Sequence, residues 1–576
     1  MNGSKKPEYG SDLIVELLKA YEIEYAALNP GSSFRGLHDS LVNYGGNNRP
    51  EVILCCHEEV AVSMAYGYAR VTGKPMAAIV HDIVGLQHAT MAIYNAWTCR
   101  TPVIVLGGTG PMDTAKRRPG IDWTHTALVQ GEQVRQYVKW DDQPASIESI
   151  PESFIRAYRL ATSEPMAPVY LCYDTEIQER KIDKEVSLPD LRRYGPPLPI
   201  QAPEDGFGTT IRWLLDSRQP VIVADSVGRA KAAFDALIEL AELLAVPVLD
   251  QGGRLNFPSL HPLNFTGQDK ELLARADLVL AVDVANLYGA LGSLSSQAKV
   301  IHVHLNELLV RSWSQDYDKL AEVDLPIVAD SQIFLPELVQ RFREEKATLN
   351  KLRERIDQRR SELSRLRSEW MQDLHGEAQK RWNEKPIASL RLFGEMAQVL
   401  NDEDFVLTNH SARLQELRFL NCGRFNQFIG RRRFGGVGNS LPASLGAALA
   451  AKGSGKFCVG IQPDGDFLFN PSTLWTAAHY EIPLLMVLFN NRSYYNDEEH
   501  QGVMATRRGR PIENKTIGIR IERPEVDFVQ IAQGYSVRGF GPVTEPGDLN
   551  QTLREAVRYV KEQGQPAVID VVTQNR

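Results

Sequence analysis

KFCVGIQPDGDFLFNPSTLWTAAHYEIPLLMVLFNNRSYYN, residues 456–496, is the stretch on which the reading of this chain turns. Its two apolar runs, residues 456–462 and 483–490, read as strands, and the segment between them reads as a helix. Strand, helix and strand with short turns form the βαβ unit of a parallel sheet. Each strand ends in polar residues: Asp464-Gly465-Asp466 after the first, Asn490-Asn491 after the second. Ligands of open parallel sheets collect in the crevice outside the carboxyl ends of the strands, so both clusters are expected to face one crevice and to share one ion. Magnesium takes hard oxygen ligands, commonly completed by phosphate oxygens and water. Asp464 offers a carboxylate, Asn491 an amide oxygen and Ser493 its main-chain carbonyl, which leaves positions for a diphosphate. Asp-Gly is also ordinary turn chemistry, so this stretch alone leaves a plain strand-to-helix turn open.

The same rhythm extends outward through the chain. EYAALN, EVILCC, MAAIVH, TPVIVLGG and APVYLCYD (from residues 24, 51, 76, 101 and 167) are strand-like, which predicts a first domain over residues 1–185. A proline-rich linker, YGPPLPIQAPEDG from residue 194, precedes PVIVAD, VPVLD, ADLVLAVD and KVIHVHL, a central domain over 200–341. Residues 342–385 carry dense mixed charge and predict a long exposed helical connector, followed by a last domain over 386–576. The fold class expected is α/β, with three consecutive doubly wound parallel-sheet domains.

Length and composition agree: 576 residues exceed one ordinary core, and about three domains are the natural division. Hydrophobic and charged fractions of 43% and 24% are those of a globular protein. A net charge of −8 argues against nucleic acid as a partner, which needs a basic surface to neutralise phosphates. The amino-terminal residues lack the apolar run of a signal peptide, and no stretch reaches the ~18 apolar residues of a membrane span, so the expected location is the cytoplasm, away from membranes. Six cysteines without a CxxC pair indicate neither a disulfide framework nor a zinc site.

Taken with residues far away in the chain, the pattern resembles the thiamine-diphosphate-dependent enzyme superfamily. Asp464-Gly465-Asp466 with Asn490-Asn491 is similar to its GDG…NN signature, with Pro463 in place of the first glycine and Asp466 where a small residue is common. HEEVAVSMAYGYAR, residues 57–70, resembles the segment carrying the cofactor-activating glutamate, and Glu58 takes that position. RFGGVGNSLPASLG, residues 433–446, looks like the segment in which an apolar residue props the cofactor, here Val437, and a carbonyl, here that of Gly435, accepts from the pyrimidine amino group. The resemblance further implies diphosphate contacts from Asn409, His410 and Ser411 and cofactor contacts from Asp464, Gly465, Asp466 and Asn491. The extra carboxylate of Asp466 would repel a diphosphate unless it faces metal or water.

Within the superfamily the chain looks closest to benzoylformate decarboxylase and the acetolactate-synthase-like proteins. Asn29-Pro30-Gly31-Ser32 resembles a loop whose serine touches the substrate carboxylate, and His81 falls where a catalytic histidine is found. A serine and an imidazole can orient a 2-oxo acid while the cofactor carbanion attacks its carbonyl, and a histidine can then protonate the enamine. The expected activity is therefore that of a lyase or carboligase on a 2-oxo acid. An acetolactate synthase, a 2-hydroxyacyl-CoA lyase and a non-catalytic cofactor-binding homologue stand as alternatives. Two basic runs, Lys116-Arg117-Arg118 and Arg507-Arg508-Gly509-Arg510, could hold an anionic tail of the substrate. Gly252-Gly253-Arg254 follows a central strand, but without a GxGxxG fingerprint, so flavin adenine dinucleotide is not expected. The resemblance also implies that the cofactor sits between the first domain of one subunit and the last domain of another, hence a homodimer at minimum or a homotetramer.

Overall fold

Three parallel sheets in series form the frame of the computed structural model, which describes residues 6–308, 320–409, 416–430 and 435–575. The first contains β1 (Tyr25–Leu28), β2 (Glu51–Leu54), β3 (Met76–Val80), β4 (Val103–Thr109), β5 (Trp140–Asp142) and β6 (Val169–Asp174), in the order β2-β1-β3-β4-β6-β5. The central sheet, ordered β11-β10-β9-β7-β8, comprises β7 (Pro220–Ala224), β8 (Val248–Asp250), β9 (Leu278–Val282), β10 (Lys299–His304) and β11 (Leu325–Val328). The last, ordered β12-β13-β14-β16-β15, comprises β12 (Phe405–Asn409), β13 (Phe457–Pro463), β14 (Leu484–Asn490), β15 (Arg538–Val543) and β16 (Ala567–Val572). Every pairing between these strands is parallel, so each connection crosses over one face and the inner strands are covered on both sides. β4 and β14 are buried along their whole length, which is why they read as unbroken apolar runs. The three-domain α/β architecture expected from the sequence is the one found.

The first and last domains share a single core. The helix Glu58–Thr72 crosses the helix Ser440–Ala451 at a contact where a Cβ on Gly67 would lie 1.9 Å from the carbonyl oxygen of Ala443. A Cβ on Gly446 would lie equally close to the carbonyl of Met64, so the two backbones touch through paired glycines. Val60, Met64 and Ala65 from one helix then pack with Leu441, Ala443 and Leu445 from the other. Within one chain, the apolar contact between these two helices joins the first and last domains.

The central domain has its own core and is tied to the first by two buried arginines. Arg254 donates to the carbonyl of Arg70, and Arg70 donates to the carbonyls of Gly253 and Ile429, so the Gly252-Gly253-Arg254 segment forms a seam between domains. The charged connector is one helix, Lys346–Lys380, gripping the central domain through Leu363 and through Arg359, which donates to the carbonyl of Ala245 at 3.0 Å. A cavity of about 460 Å³ beneath it, lined by Pro220, Pro247, Arg355 and Leu366, lies at the amino ends of β7 and β8, the wrong end of a parallel sheet for the expected ligand. Among the described residues no helix is long and apolar enough to cross a membrane. All six cysteines are free.

Candidate active site

Asp464 stands at the carboxyl end of β13 and opens a short helix, Asp464–Phe467. Its side chain is fully buried, yet neither carboxylate oxygen closes a hydrogen bond among the described residues, although the backbone N–H groups of Gly465 and Arg492 lean toward it. Burial pushes its pKa up to about 7. Beside it, the turn after β14 is fixed by Arg492, whose φ of 55° is left-handed, and by the Asn491 amide oxygen, which accepts from the Ser493 N–H at 3.2 Å. Asn490 donates to Asp570 at 2.9 Å and leaves its own amide oxygen without a partner among the described residues. Buried oxygens lacking protein donors, next to an amide-bearing turn, are the donor set that a hard divalent cation requires, so these residues fit magnesium.

Asp466, expected among the cofactor ligands, has a different task here. Its carboxylate accepts from the Gly438 N–H at 2.5 Å and from the Ser440 hydroxyl, which spends both oxygens at the start of the helix Ser440–Ala451. A carboxylate at a helix N-terminus is favoured by the free N–H groups and the macrodipole. This link holds the 435–438 loop, on which Val437 is exposed. Tyr494 packs on Gly465, donating to its carbonyl at 3.3 Å. Asn409 closes β12 opposite Ile461. The Asn409 side chain, His410 and Ser411 lie outside the described residues, as do residues 431–434.

Glu58 is the first residue of its helix, whose N-cap is His57; the His57 ring accepts from the Glu59 N–H at 3.1 Å. The last domain clamps the strand leading into this turn. Tyr480 accepts from the Leu54 N–H at 2.8 Å and Thr476 donates to the Leu54 carbonyl at 3.0 Å. Glu58 is 5% exposed and its Oε2 lies 3.0 Å from His88 Nδ1. The two halves meet here. Glu59 lies near Asn470 and Asp466, and the Gly436 N–H points at the Met91 sulfur at 3.2 Å, on the helix that carries His88.

His81 caps that helix, Asp82–Thr98. The loop after β1 presses on it so closely that a Cβ on Gly31 would lie 2.5 Å from the His81 side chain. The serine that reaches it is Ser33, not Ser32: Ser33 Oγ lies 2.9 Å from His81 Nδ1 and accepts from the Asp82 N–H at 3.0 Å. Ser32 opens the 3₁₀ turn and is half-buried beside it, so the expected loop is in place one residue out of step. Burial, and then the neighbouring ring of His125 at 5.3 Å, lower the His81 pKa and keep its imidazole neutral near pH 7.

The two basic runs differ in their surroundings. Lys116 pairs with Glu176 at 2.7 Å, Arg118 pairs with Asp122 at 2.8 Å, and Arg507, Arg508 and Arg510 are exposed at the end of the helix Tyr495–Arg507. Sequence reasoning missed Ser33, His88 and His125. The spacing of His81, Gly85 and His88, four and then three residues on one helix face, was the available signal for His88.

Sequence models of the thiamine pyrophosphate enzymes match the chain in order. The N-terminal TPP binding domain matches residues 9–133, the central domain 208–338 and the C-terminal TPP binding domain 410–571. A probable acetolactate synthase large subunit of Methanocaldococcus jannaschii is 24% identical, over 98% of this chain and 91% of that protein. A benzoylformate decarboxylase of Pseudomonas aeruginosa is 25% identical, over 94% and 96%. Among solved structures, a thiamine diphosphate-dependent 4-hydroxybenzoylformate decarboxylase of Rhodococcus jostii superposes with a TM-score of 0.77 at 21% identity, covering 99% of both chains. With all three domains matched in sequence and in fold, the chain belongs to the thiamine pyrophosphate enzymes.

Proposed function

We propose that this protein is a magnesium- and thiamine-diphosphate-dependent lyase or carboligase acting on the bond beside the carbonyl of a 2-oxo acid. One observation carries the proposal: a buried, His-paired Glu58 and a buried Asp464, without a hydrogen-bond partner among the described residues, open helices in two domains that share one core. When bound, the cofactor supplies a nucleophilic carbon that adds to the substrate carbonyl and stores the electrons left when carbon dioxide departs.

The chain's own residues do the rest. Asp464, Asn491 and the Ser493 carbonyl hold the magnesium ion. Asn409, His410, Ser411 and Gly465 position the diphosphate, while Val437 and the Gly435 carbonyl seat the pyrimidine. Glu58 shares a proton with the pyrimidine ring nitrogen. A neutral His81, braced by Ser33, is suited to orient an anionic 2-oxo acid and to deliver a proton where carbon dioxide has left, with Ser32 on the same loop at the substrate carboxylate. Acetolactate synthase activity is the second reading; it differs only in the acceptor and is supported by the relatives so named. Assembly as a homodimer or homotetramer in the cytoplasm belongs to the same proposal.

The test is carbon dioxide release from a panel of 2-oxo acids, including pyruvate and benzoylformate, with magnesium and thiamine diphosphate supplied and products identified by mass spectrometry. An aldehyde product supports a decarboxylase, and a hydroxyketone or acetolactate supports a carboligase. Silence across the panel with cofactor bound contradicts both.

A further inference from the structure

His88 has no part in the reaction as set out so far, yet it is the side chain that meets the buried carboxyl of Glu58. It projects from the Asp82–Thr98 helix, on which His81, Gly85 and His88 follow one another at intervals of four and three residues, so that all three face the first turn of the Glu58 helix. The contact is divided between two oxygens. Oε2 lies 3.0 Å from His88 Nδ1, and Oε1 lies over the bare backbone of Gly85, where an ideal Cβ would come within 2.9 Å of it. Any larger residue at position 85 would occupy the space beside Oε1. His88 itself is 55% exposed, so its ring joins the carboxyl to the solvent side of the crevice.

We infer that His88 is the positioning residue for Glu58: it fixes one carboxyl oxygen and frees the other for the cofactor. The inference rests on the reading of Glu58 as the cofactor-activating acid. With its Nδ1–H donated to Oε2, His88 leaves Oε1 as the oxygen that would meet the pyrimidine nitrogen of a bound cofactor. The His57 ring stacks on the His88 ring at 4.9 Å.

Two measurements test this on the full chain. In cofactor-free protein, the His88 ring-nitrogen resonances are compared by NMR with and without Glu58→Gln; the change of partner at Oε2 should shift the Nδ1 resonance, and an unchanged one would overturn the pairing. In holoenzyme, hydrogen–deuterium exchange at the thiazolium carbon of bound thiamine diphosphate is followed against pH. His88→Ala should slow exchange about tenfold or more near neutral pH. His88→Asn keeps an N–H donor at the Nδ1 position, so it should recover most of the rate. An alanine variant that exchanges like wild type, or an asparagine variant as slow as the alanine variant, would overturn the role of His88. Wild-type exchange in Glu58→Gln would instead remove the reading of Glu58 itself.

Discussion

Glu58 and Asp464 are both buried acids at the first residue of a helix, one in each half of the crevice, and the chain treats them in opposite ways. Glu58 is given a protein partner, His88, and a clamp on the strand that precedes it. Asp464 is given the backbone of a turn and no side chain to answer its charge, so burial pushes its pKa up to about 7. A carboxyl that must share protons is held ready by neighbours, whereas one that must bind a cation is left with its oxygens open. The unpaired state costs stability in the cofactor-free protein, and a bound ion offsets that cost.

The comparison can be broken most forcefully at Glu58. Glu58→Gln keeps the shape and removes the proton, so carbon dioxide release should fall by about 10²- to 10⁴-fold with cofactor binding retained, as read by turnover and calorimetry together. Next in size is the seam that aligns the two acids. Gly67→Ala drives a methyl group into the Ala443 carbonyl, where only backbone can yield, and should cost at least about 1–3 kcal/mol in denaturant unfolding, with weakened cofactor binding.

The pH dependence of stability sharpens the contrast. The folded pKa of Asp464 lies above its ordinary value of 3.8, so the native state holds the proton more tightly than the unfolded chain. Its stabilising contribution is therefore complete below 3.8 and lost as pH rises through about 7. Thermal unfolding of cofactor-free protein between these limits should show that slope in wild type and a flatter one in Asp464→Asn. Smallest is Tyr480→Phe, which removes the acceptor for the Leu54 N–H and should cost about 1 kcal/mol in unfolding, with a modest loss of cofactor affinity.

Much of this arrangement was legible in the sequence, because parallel sheets write themselves as apolar runs ending in polar clusters. The runs before Asp464 and Asn490 read as strands, and Asp464 reads as a metal ligand, since strand period and turn chemistry are local properties. What escaped depended on geometry that crosses elements. Ser33 reaches His81 while Ser32 does not, because a 3₁₀ turn begins at Ser32 and rotates successive side chains by about a third of a turn. Asp466 reads as a cofactor ligand until the start of the helix Ser440–Ala451 is seen to take both its oxygens. His125 reaches His81 from a separate segment, which no local pattern announces. The first and last domains of the chain pack together because Gly67 and Gly446 let two helices touch, and nothing in either helix alone reveals its partner.

The most direct test of the account is a calorimetric titration of thiamine diphosphate, with magnesium present, into wild type, Glu58→Gln and Asp464→Asn. The account predicts binding close to wild type for Glu58→Gln and binding weakened by about a hundredfold or more for Asp464→Asn, a difference of about 2.7 kcal/mol. Equal binding by wild type and Asp464→Asn would contradict it.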